Sequence, residues 1–134
     1  MEPRIQHVIE SCADASKAGE ISFGEVIAAL DEHGVESYHA DYRLGSLHYY
    51  LPSGETHNVT LSVPAQRIGE AFDAEALKEA IRGAQRGELK YPEFIARSMA
   101  AGCIGYFVWI SGRHVTYFGR RGEQHVEPFP TARV

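Results

Sequence analysis

Residues 19–57 read GEISFGEVIAALDEHGVESYHADYRLGSLHYYLPSGETH, and residues 87–125 read GELKYPEFIARSMAAGCIGYFVWISGRHVTYFGRRGEQH; an offset of 68 positions lays one on the other without a gap. Gly19, Glu20, Glu25, Ile27, Ala28, Gly34, Tyr38, Tyr49, Gly54, Glu55 and His57 meet Gly87, Glu88, Glu93, Ile95, Ala96, Gly102, Tyr106, Tyr117, Gly122, Glu123 and His125. Eleven identities in thirty-nine positions exceed the roughly two or three expected from ordinary residue usage. Ile21/Leu89, Phe23/Tyr91, Val26/Phe94, Leu47/Val115 and Tyr50/Phe118 also keep shape, so the two segments are expected to share a fold.

Working outward, Ile5, Val8, Ile9, Cys12 and Ala15 recur at helical spacing over residues 4–18, with Gly19 as the stop. Residues 73–86 are the counterpart, with Ala76, Leu77, Ala80 and Ile81 on one stripe and Gly87 closing it. Ser22 followed by Glu25 is a capping box that starts a second helix; in its twin the cap is lost at Lys90, and Pro92 sits in the first turn. Gly34 and Gly102 end these helices. Extended segments follow at 36–43, 46–51 and 56–63, and again at 104–111, 114–119 and 124–129. Leu51 to Glu55 and Gly119 to Glu123 fit three-residue hairpin loops, and Ser111-Gly112-Arg113-His114 suggests a two-residue turn led by glycine. The pattern predicts an α+β fold of two helix-helix-three-strand units about a pseudo-twofold axis, in one domain of 134 residues. The repeats run 4–63 and 72–130, with a linker at 64–71 opened by Pro64.

If Leu51 pairs with Glu55, Tyr49 lies opposite His57, and Tyr117 opposite His125. That register puts Tyr38, Ala40, Tyr42, Leu47, Tyr49, Leu51, His57 and Val59 on a face covered by helices. His39, Asp41, Arg43, His48, Tyr50, Thr56, Asn58 and Thr60 fall on an open face. The repeated set Tyr49, Glu55, His57, Tyr117, Glu123, His125 and Glu127 is read first as structural, a half-buried imidazole finding its partner in a phenol. The alternative is a metal or acid–base site presented by Glu-x-His on one strand face. On the open face His39, Asp41 and Tyr50 correspond to Phe107, Trp109 and Phe118. Such a patch is expected to be covered by the tail or linker, by a second copy in a homodimer or another partner, or by a small molecule. His39, Asp41 and His48 together form a candidate metal triad.

The formal charge of −5 with scattered Lys and Arg argues against nucleic acid. Cys12 and Cys103, far apart and outside any Cys-x-x-Cys pair, argue for buried thiols in a reducing, cytoplasmic setting without disulfides. Cys103 follows a helix end, which raises a thiol's pKa and disfavours a nucleophile. No signal segment or membrane span is read, and phosphate loops, the nucleophile elbow and His-Glu-x-x-His are missing. No cofactor is called for.

Four motifs in order are similar to a known family. They are Tyr38-His39-Ala40-Asp41, Tyr49 through His57, Gly87-Glu88-Leu89-Lys90-Tyr91-Pro92-Glu93-Phe94, and Tyr117-Phe118-Gly119-Arg120 through His125-Val126-Glu127-Pro128-Phe129-Pro130. Together they resemble the bacterial and prophage family called domain of unknown function 1398, or YbcV-like, whose members are sometimes labelled phage envelope proteins. The resemblance covers nearly the whole chain and carries no activity or catalytic residues. The resulting expectation is a non-enzymatic binding or interaction module, homodimeric, using the open sheet face. The other reading is a small metal-dependent or acid–base enzyme built on the His/Asp/Glu set.

Overall fold

The structure is a computed structural model that describes residues 1–130. Helices α1 (Pro3–Lys17) and α2 (Phe23–Glu32) precede strands β1 (Ser37–Asp41), β2 (Ser46–Tyr50) and β3 (Thr56–Thr60). Helices α3 (Ala74–Gln85) and α4 (Tyr91–Ala100) precede β4 (Cys103–Trp109), β5 (His114–Gly119) and β6 (Gln124–Pro128). The capping box of α2 is complete, with Ser22 and Glu25 each taking the other's backbone N–H. In α4 half of that box survives, because the Lys90 N–H still donates to Glu93 at 2.8 Å.

All six strands form one antiparallel sheet in the order β3-β2-β1-β4-β5-β6. The expected register holds: Tyr49 pairs with His57 and Tyr117 with His125. The seam between the units is β1 against β4, and there His39 pairs with Phe107, its own repeat mate at an offset of 68. Tyr38 opposite Val108 and Ala40 opposite Tyr106 are then interchanged by the repeat. Two antiparallel neighbours whose equivalent residues share a face are related by an axis perpendicular to the sheet, so both helix pairs lie on the same side. The pseudo-twofold therefore runs through the His39/Phe107 pair.

The connection from β4 to β5 departs from expectation. Trp109 pairs with His114, leaving a four-residue loop, and the positive φ falls on Arg113 (61°) rather than leading at Gly112. The same position in the first unit is Gly45 (φ 71°), where the backbone conformation comes without steric cost. The second unit keeps the loop geometry of the first with a residue that suits it less well, holding the Arg113 guanidinium over the Phe129 ring. The linker is packed: the Gly69 and Asp73 N–H groups donate to Met99 and Ala101 at 2.9 and 2.8 Å, and Arg120 reaches the Ile68 carbonyl.

The core lies between sheet and helices, with Ile9, Leu30, Leu77 and Ile95 fully buried against Ala40 and Val108. One polar pair crosses between the units inside it. Ser98 spends its single proton on the Ile95 carbonyl at 2.9 Å, so Tyr42 donates to Ser98 Oγ at 2.8 Å. The repeat mates of these two are Ile110 and Leu30, both apolar. We expect Ser98→Ala to cost about 2 kcal/mol, since it strands a buried phenol donor. Tyr42→Phe with Ser98→Ala should cost clearly less than the two single changes summed, as read from denaturant midpoints in a double-mutant cycle.

Candidate functional site

The open face carries its aromatic groups as a continuous row across the pseudo-twofold. In register, Asn58, His48, His39, Phe107, Thr116 and Val126 cross all six strands, and Thr56, Tyr50, Ser37, Trp109, His114 and Pro128 form the next row. His39 stacks on Phe107 with centroids 5.3 Å apart and ring planes 10° apart, and on His48 at 5.9 Å and 25°. Phe107 stacks on Trp109 at 4.1 Å and 9°, and Tyr50 lies 6.0 Å from Phe107 at 12°. This near-parallel alignment follows from strand geometry, because side chains at i and i+2 and at paired positions stand side by side on one face.

Trp109 is 36% exposed, and its indole N–H donates to Thr116 Oγ1 at 3.2 Å. His114, which the sequence reading left out, stands opposite Trp109 with its ring 6.4 Å away. Phe118 lies opposite Gly105, half-buried and outside the stacked row. Burial holds the His39 imidazole below its ordinary pKa; Asp41 pulls upward, while His48 and Arg43 add to the depression.

The metal triad does not assemble. Asp41 Oδ1 accepts the N–H groups of Arg43 and Leu44 at 3.0 and 3.1 Å, and His48 Nδ1 meets Asn58 Oδ1 at 3.0 Å. Asp41 ends β1, and its carboxylate is committed to the turn that follows. Among the described residues no three His, Cys, Asp or Glu side chains come together in ligating geometry.

The repeated Tyr/His set sits on the core face, but its hydrogen bonds differ from the expectation of a phenol partner. His57 Nε2 meets Glu10 of α1 at 2.8 Å, and His125 Nε2 meets Glu127 at 3.1 Å. Glu127 also takes Arg82 at 2.6 Å. Desolvation pushes the Glu127 carboxyl up, and Arg82 and His125 together outweigh it and hold the group below its ordinary value. Tyr117 only stacks beside His125, at 6.2 Å. Glu55 and Glu123 close turns: one pairs with the Met1 ammonium at 2.6 Å and the other accepts the Arg121 N–H at 2.9 Å. Of the carboxylates in the Glu-x-His motifs, Glu127 alone reaches its histidine. Both cysteines are buried, and burial pushes the Cys103 thiol up to about 11, which keeps it protonated.

The sequence reading missed a cavity of about 1140 Å³ between helices and sheet. Tyr38, Tyr49, Tyr106 and Tyr117 form part of its floor, and the turns joining α1 to α2 and α3 to α4 form part of its walls. One signal was available: six tyrosines fall on the side read as core, counting Tyr42 and Tyr91, more hydroxyls than a dry core readily pairs.

Among the described residues no helix is long and apolar enough to cross a membrane. A family model described as Protein of unknown function (DUF1398) matches residues 7–127. Uncharacterized proteins of Mycobacterium bovis and Mycobacterium tuberculosis are 37% identical to the chain over 59 residues. That stretch is 44% of this chain and 36% of each relative, so the match spans about a third of the length of these proteins.

Proposed function

The chain belongs to the DUF1398 family, and we propose that it is a non-enzymatic binding module that pairs with a second copy of itself through the open sheet face. The observation that carries this reading is the row of near-parallel rings, His48, His39, Phe107 and Trp109 with Tyr50 alongside, centred on the pseudo-twofold. Exposed contiguous aromatic surface favours burial against a matching surface, and closed twofold symmetry sets a row of this kind against its own copy. Phe107 and Trp109 would form the apolar centre, with Asn58, His48 and His114 toward the rim. Six strands about 4.8 Å apart and at least five residues long give a footprint of roughly 500 Å² per protomer. That is at the low end for a specific dimer, so association in the micromolar range is expected.

His39 makes the association depend on pH. Its folded-state pKa lies below the ordinary value and falls further if the face is covered. The neutral form is thus favoured when buried. The associated state is fully favoured above the folded monomer's own lowered His39 pKa and loses ground as pH falls through it. Sedimentation velocity over a concentration series should show a dimer near neutral pH that weakens several-fold under mildly acidic conditions. His39→Phe, which copies the repeat mate Phe107, should remove most of that dependence. A protein that stays monomeric at every concentration and pH would overturn the proposal.

A further inference from the structure

The cavity on the other side of the sheet is built from both repeats. Tyr38 and Tyr106 are repeat mates, as are Tyr49 and Tyr117, so its floor is a pseudo-symmetric set of four phenols astride the axis. The partners of the hydroxyls break that symmetry. The Tyr106 hydroxyl bonds the Tyr91 hydroxyl at 2.7 Å, but the mate of Tyr91 is Phe23, which has no hydroxyl to offer Tyr38. Tyr38, Tyr49 and Tyr117 are 4%, 3% and 7% exposed, and among the described residues their hydroxyls make no side-chain hydrogen bond. No sealed side-chain nitrogen or oxygen lacks a partner among those residues, so these three hydroxyls open into the cavity. Three donors set beside Leu47, Val59, Val115 and Phe94 call for acceptor oxygens on an apolar body.

Charge narrows the class further. Carboxylates outnumber lysines five to two among the lining residues, which disfavours an anion. Three of those carboxylates are already engaged, Glu10 with His57, Glu127 with Arg82 and Glu25 with the Ser22 N–H, which weakens the attraction for a cation. We infer that the cavity binds an uncharged, flat, largely apolar molecule bearing carbonyl oxygens, of the aromatic ketone or quinone class, with Tyr38, Tyr49 and Tyr117 donating to it. Burial raises all three phenols, so they remain protonated donors at neutral pH.

Prodan, an uncharged naphthalene ketone whose emission moves to the red when its carbonyl accepts hydrogen bonds, tests this directly. Titrated into the full chain, it should bind at one site per protomer with emission reporting a hydrogen-bonded carbonyl. A variant combining Tyr38→Phe, Tyr49→Phe and Tyr117→Phe keeps the rings and removes the donors. It should bind at least about tenfold more weakly, with blue-shifted emission. Each single Phe variant should give a smaller step in the same direction, which preserves the test if the triple variant folds poorly by circular dichroism. Unchanged affinity and emission in the Phe variants would overturn the assignment. Tighter binding of anilinonaphthalene sulfonate than of prodan would overturn the uncharged class. Prodan binding lost in Trp109→Glu but kept in the Phe variants would place the probe on the open face and overturn the cavity site, whatever the outcome for self-association.

Discussion

Gly102→Ala should unfold the protein at a much lower denaturant concentration than Gly34→Ala, although the two glycines are repeat mates at the same helix end. Both have positive φ, 90° and 83°, so each substitution meets the left-handed penalty of about 1–2 kcal/mol. At Gly34 nothing lies within reach of an added methyl group. At Gly102 that methyl would run into the Ala71 carbonyl and crowd Phe72. The linker cannot step aside cheaply, because its hydrogen bonds from Gly69 to Met99 and from Asp73 to Ala101 hold it on either side. We expect about 1 kcal/mol for Gly34→Ala and at least about 3 kcal/mol for Gly102→Ala. In urea that difference is a midpoint gap of roughly 1 M. Equal midpoints would mean that the linker does not clamp the second unit.

The fold was legible because its information is doubled. The offset of 68 fixed equivalent elements, and the hairpin loops at Pro52 and Arg120 fixed the register that places Tyr49 on His57 and Tyr117 on His125. The joining of the units through β1 and β4 was not legible. Strands distant in sequence find each other through non-local packing, and a local pattern does not state which edge is left free. The loop before β5 departs from a glycine-led two-residue turn because the repeat puts the left-handed residue one position after Gly112, at Arg113.

For the sites, the sequence separated the two faces of the sheet but not their detailed use. It brought His39, His48, Phe107 and Trp109 onto one surface, where the structure adds His114 and sets Phe118 apart from the stacked row. It offered the phenols as partners of His57 and His125, whereas Glu10 comes from a helix whose approach to β3 no strand pattern encodes. Alternation shows that Tyr38 and Tyr49 face the helices. It does not show how far the helices stand from the sheet, and that distance decides between packed core and cavity.

Trp109→Glu should convert the protein to a monomer. Trp109 stacks on Phe107 at the middle of the aromatic row, so a carboxylate there would be taken from water without a partner when a second copy covers the face. Desolvating an unpaired charge costs several kcal/mol, more than a micromolar dimer of this footprint has to spare. The fold should survive, because Trp109 is more than a third exposed and lies on the side away from the helices. The direct measurement is light scattering of wild type and Trp109→Glu at matched concentration, with circular dichroism to establish that both are folded. The account predicts a wild-type dimer at high micromolar concentration and a folded monomeric variant. A wild-type monomer under those conditions, or a variant that remains a dimer, would contradict it.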